Sequence, residues 1–95
     1  MTILGTTCRD WSGTITAGGT VQTLAPANSE RKAFYIQNDS DTDMKVSMDS
    51  GAPATATVGY LVEPGYYWEP PVPPVGKVTI YCATTGKAFS AAEFS

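Results

Sequence analysis

Histidine is missing from this 95-residue sequence, and that absence removes most of the familiar catalytic machinery at once. No imidazole is available as the base of a Ser–His or Cys–His arrangement. No Cys/His cluster with metal-ligand spacing occurs, and no glycine-rich phosphate loop. Carboxylates are present, but Asp39, Asp41 and Asp43 alternate within one polar turn, and Glu63 and Glu69 bracket a hairpin. Acids placed this way are solvated or capping groups rather than a glycosidase pair. The sequence therefore argues against an enzyme and implies no cofactor.

Cysteine is scarce too. Two residues, Cys8 and Cys82, are too few for a disulfide framework. They pair only if the N-terminal segment lies along the penultimate strand; otherwise Cys82 is a small buried apolar residue and Cys8 a free thiol. Basic charge is thin: six Lys and Arg stand against nine Asp and Glu, a net charge of −3. Arg9, Arg31, Lys32, Lys45, Lys77 and Lys87 are scattered, so the basic stripe of a nucleic-acid binder is absent. No apolar run approaches the ~18–20 residues that span a bilayer. Residues 1–7 lack the basic region and hydrophobic core of a secretory signal. The expectation is a chain made in the cytoplasm, with neither nucleic acid nor membrane as partner.

What the sequence does contain is β pattern. Phe34-Tyr35-Ile36-Gln37-Asn38 alternates, with Phe34 and Ile36 on one face and Tyr35 and Gln37 on the other. Met44-Lys45-Val46-Ser47-Met48 alternates after an acidic turn and is expected to form a hairpin with the preceding strand. Gly13-Thr14-Ile15-Thr16 and Thr20-Val21-Gln22-Thr23-Leu24, separated by Gly18-Gly19, suggest another hairpin with a bulge near Ala25-Pro26. Glu63-Pro64-Gly65 suits the corners of a type II turn. Residues 77–82 and 87–94 read as the last strands. Turn signals recur roughly every 8–12 residues, which predicts about seven or eight short strands in an all-β, antiparallel, jelly-roll-like sandwich or small barrel. Residues 13–95 form that domain. Residues 1–12, without sustained period, are expected to form an N-terminal arm that orders against something else, with Ile3, Leu4 and Trp11 as its anchors.

The densest feature is Pro64-Gly65-Tyr66-Tyr67-Trp68-Glu69-Pro70-Pro71-Val72-Pro73-Pro74-Val75-Gly76. Proline fixes φ and removes a ladder donor, so the block is neither helix nor central strand but a stiff polyproline-like crossing between strands. The aromatics before it, with Tyr60, have three readings: core, protein interface, or sugar-stacking platform. Tyr66, Tyr67 and Trp68 are candidate interface residues. Asp39-Ser40-Asp41-Thr42-Asp43 begins like a calcium loop, yet position six is Met44 rather than Gly and position twelve is Ser50 rather than Glu. An Asx-rich turn is the better reading, and no metal is expected.

Taken in order, the Gly/Thr segment, Ala27-Asn28-Ser29-Glu30-Arg31-Lys32, Phe34-Tyr35-Ile36-Gln37-Asn38, the acidic turn, Val62-Glu63-Pro64-Gly65-Tyr66-Tyr67, Val78-Thr79-Ile80-Tyr81 and Ala83-Thr84-Thr85-Gly86-Lys87-Ala88-Phe89 make a pattern. It resembles the small β-sandwich structural proteins encoded beside the major capsid protein in tailed bacteriophages, over roughly residues 13–94. The resemblance implies a capsid decoration (cement) protein in the virion, with the major capsid protein as partner and a dimeric or trimeric homo-oligomer as its form. The alternative it leaves is a head-fibre or tail-associated module that binds a host glycan or receptor.

Overall fold

The computed structural model describes residues 7–95. Nine short strands form two antiparallel sheets facing each other: β1 (Cys8–Asp10), β2 (Gly13–Thr14), β3 (Gln22–Ala25), β4 (Ala33–Asn38), β5 (Met44–Ser47), β6 (Tyr60–Val62), β7 (Tyr67–Trp68), β8 (Val78–Cys82) and β9 (Ala88–Phe94). One sheet runs β1-β9-β4-β7, with β2 also on β9; the other runs β3-β8-β5-β6. This is the expected all-β sandwich.

The alternation read from the sequence gives the correct inward faces. Phe34, Ile36, Met44, Val46, Val78, Ile80 and Cys82 are all buried, and with Ile15, Leu24, Val62, Phe89 and Ala91 they form one core between the sheets. The β3–β8 register slips between Thr23 and Ala25, where the sequence suggested a bulge. Tyr66 N donates to Glu63 O at 3.0 Å, and Gly65 has φ 78°, as position three of a type II turn requires.

The pairings differ from the expected hairpins. Residues 13–24 do not fold on themselves: β2 joins β9 in one sheet and β3 joins β8 in the other. Likewise β4 and β5 lie in opposite sheets, as do β6 and β7. An inward apolar face is satisfied equally by a neighbour in the same sheet or by a strand across the core, so alternation fixes orientation but not adjacency. Side chains decide the matter here. Gln22 bonds Thr16 N through its carbonyl oxygen and Thr14 O through its amide, replacing ladder bonds a hairpin would make. Gly18 packs so closely on the 83–85 turn that a Cβ would lie 2.6 Å from Ala83 O and Thr85 N.

Asn38 does the same at the β4 exit. Its buried amide donates to Thr42 O (2.7 Å) and Val62 O (2.9 Å), while its carbonyl oxygen accepts from Ser40 N and Oγ. The turn thus arches from one sheet to the other. The expected arm also changes: from Thr7 onward it is sheet edge, because Cys8, Arg9 and Asp10 pair with Phe94, Glu93 and Ala92 of β9. The thiols are separate and free, Cys8 exposed on β1 and Cys82 buried in the opposite sheet.

Candidate functional site

The edge strands β6 and β7 face each other from opposite sheets and close that side of the sandwich with rings. Tyr60 of β6 stacks on Trp68 of β7, centroids 4.3 Å apart and planes 13° from parallel. On the outer face, Tyr35 of β4 stacks on Tyr67 at 5.6 Å and 29°, a diagonal cross-strand pair made possible by the Gln37–Tyr67 and Ile36–Trp68 register. Trp68 is half-buried and packs on the core. Tyr60, Tyr66 and Tyr67 stay 51%, 61% and 55% exposed, beside Leu61. The two stacks hold Tyr60, Tyr67 and Trp68 in place, and Tyr66 stands exposed beside them just before β7.

The polar surroundings are sparse. Tyr67 Oη donates to Glu69 Oε1 at 2.7 Å, and this bond to a carboxylate is the main reason the phenol pKa is raised. Leu61 continues the surface around the edge into a shallow groove of about 360 Å³ with Lys45 and Tyr81 on the outer face of the second sheet.

Of the residues singled out in the sequence, Tyr66, Tyr67 and Trp68 come together on this edge. Trp11 lies elsewhere: it packs against the core beneath Arg9, whose guanidinium sits 5.7 Å from its ring centroid. Ile3 and Leu4 lie outside the described residues. The aspartates of the acidic turn are directed apart, Asp39 accepting from Ser90 Oγ and Asp41 pairing with Lys87 at 2.8 Å, which holds the Asp41 pKa low.

Sequence reasoning missed the most connected polar group, Arg31. Its side chain is fully buried and its Nε donates to Glu93 Oε1 at 2.8 Å. Nη1 donates to Pro74 O and Gly76 O, and Nη2 to Pro26 O. Asn28 Nδ2 donates to the other Glu93 oxygen at 2.8 Å. Burial pushes the Glu93 pKa up, but the bonds from Asn28 and Arg31, the nearby Trp11 indole and the Arg31 charge together bring it below the ordinary value. The Trp11 Nε1–H is buried beside that carboxylate without hydrogen-bond geometry. A signal was available: Phe89, Ala91 and Glu93 alternate on the inward face of β9, and an acid on a core face requires a partner.

A cleft of about 340 Å³ opens over this cluster, bordered by Arg9, Trp11, Asn28, Glu30 and Glu93. Its buried carboxylate is already paired with Arg31 and hydrogen-bonded by Asn28, which makes the cluster a structural one. The aromatic edge is therefore the candidate site, and what it offers is contact area. No family model, curated protein or solved structure matches the chain.

Proposed function

We propose that this chain is a non-enzymatic structural protein of a bacteriophage particle, which binds the outer surface of the capsid and stabilises the shell. The observation that carries the reading is the aromatic edge: three tyrosines half or more exposed, two of them held by ring stacks, on a domain whose core is complete without them. Tyrosine supplies large contact area with little conformational entropy to lose, as docking surfaces use it. The sequence resemblance supplies the particle. A small acidic domain presenting one modest patch gains affinity by engaging a repeating lattice many times over. A second reading, a head-fibre or tail-associated glycan-binding module, draws on the Tyr67–Glu69 pair, a ring with a carboxylate beside it.

Two substitutions separate contact from fold. Tyr66→Ala combined with Tyr67→Ala is expected to leave thermal stability within about 1 kcal/mol, since both rings are exposed, and to abolish co-sedimentation with capsid shells. Trp68→Ala is expected to destabilise the fold by about 2 kcal/mol, because it removes a half-buried ring from the core margin. Undiminished shell binding by the double tyrosine variant would remove the aromatic edge from the docking surface. The particle itself is tested by the copy number of this chain relative to the major coat protein in purified virions. A lattice-commensurate ratio is expected; a handful of copies favours the fibre reading, and complete absence overturns both.

A further inference from the structure

Residues 69–77 cross from β7 to β8, from one sheet to the other. Their backbone is pinned from behind: Asn28 N donates to Val75 O at 2.8 Å, and Arg31 Nη1 to Pro74 O at 2.7 Å and Gly76 O at 3.0 Å. The outward side is apolar, with Val72 75% and Val75 53% exposed. Four prolines with fixed φ and no N–H make this ridge unable to extend a sheet, yet ready to dock with little entropy to lose.

The charges at its ends are arranged symmetrically. Glu69 and Lys77 are both exposed and stand at equal distances in sequence from Pro73. Neither has an ion-pair partner among the described residues; Glu69 accepts only from the Tyr67 hydroxyl. A segment with an acid at one end, a base at the other and an apolar middle is complementary to itself when turned end for end. We propose that the proline ridge is a self-association surface whose occupant is a second copy of this chain. The two ridges pack antiparallel about a two-fold axis near Pro73. Each Glu69 then faces the other copy's Lys77, and Val72 and Val75 are covered between them.

A two-fold contact of this kind closes on itself, so it yields a dimer rather than a filament. One ridge offers less than the ~800 Å² per partner of a standard interface. The dimer is therefore concentration-dependent, and salt weakens it further. The pairing leaves Tyr60 and Leu61 free for another partner and does not rest on the capsid reading.

Sedimentation velocity over a concentration series tests the proposal. The unmodified chain is expected to dimerise reversibly. Glu69→Lys or Lys77→Glu alone should weaken the dimer about tenfold, because each reversal turns both end pairs repulsive. An equimolar mixture of the two single variants should regain it as a heterodimer, in which both pairs are attractive again. Val72→Asp should abolish it. All three side chains are exposed, so unchanged circular dichroism confirms that the fold is not at issue. A chain that remains monomeric at millimolar concentration overturns the proposal, as does self-association indifferent to the charge reversals. A monomer that binds shells sinks the ridge and spares the docking reading; a dimer that binds none does the reverse.

Discussion

Arg31→Ala is expected to lower the stability of this domain by about 3–5 kcal/mol, the usual cost of stranding one partner of a buried ion pair. The substitution leaves the Glu93 carboxylate in the interior without its guanidinium, and removes the donor from Pro26 O, Pro74 O and Gly76 O. Small domains hold only about 5–15 kcal/mol in total. At about 4–8 °C per kcal/mol for a chain of this length, the melting temperature should fall by roughly 20 °C in a thermal scan. Replacing the pair together, Arg31→Met with Glu93→Leu, should recover part of the loss, because no charge is then buried alone. Full recovery would show that the three carbonyls contribute nothing; no loss in the single variant would show that the pair is not buried in solution.

The same pair sets an acid limit. The folded-state pKa of Glu93 lies below its ordinary value of 4.5, so the folded state favours the ionised form more than the unfolded chain does. That stability is fully present above the unfolded pKa and is lost as pH falls through the folded one. Denaturant midpoints should therefore be flat near neutrality and decline below about pH 4.5, and the decline should be shallower in the doubly apolar variant.

Asn38→Ala should cost about 3 kcal/mol. Each buried group left unsatisfied costs on the order of 1–3 kcal/mol, and this amide satisfies Thr42 O and Val62 O from inside the protein while anchoring Ser40. The loss is not that of a surface turn, because Val62 belongs to the opposite sheet. The bond ties the two layers at the edge where Tyr60 meets Trp68. A loss of unfolding free energy in urea of less than a third of that amount would mean water replaces the amide.

Much of the fold was legible in the sequence, for a physical reason. Side-chain alternation reports which way a strand faces, and Phe34, Ile36, Met44, Val46, Val78 and Ile80 all face the core as the pattern requires. Adjacency was not legible, because it rests on single polar side chains, Gln22 and Asn38, whose partners are distant in sequence or set by the arch itself. The aromatic edge was visible as composition. Its division into a buttress, Trp68, and contact rings, Tyr60, Tyr66 and Tyr67, depends on stacks between strands that the sequence does not place side by side. The Arg31–Glu93 pair was hidden by a separation of 62 residues.

The place of β9 has a consequence for how the chain is made. Of the described strands, residues 88–94 leave the ribosome after all the others, yet β1, β2 and β4 all pair with them. A chain without residues 88–94 holds one sheet without its centre and leaves the apolar faces of the other uncovered. Synthesis at about 5–20 residues per second cannot fold this domain piece by piece; collapse to the native sandwich waits until β9 has emerged. With nearly every pairing non-local, it should then take milliseconds to seconds, a time stopped-flow refolding would measure. Released chains truncated after residue 87 should be cut readily by protease, and protection at that length would show that the remaining strands find partners of their own.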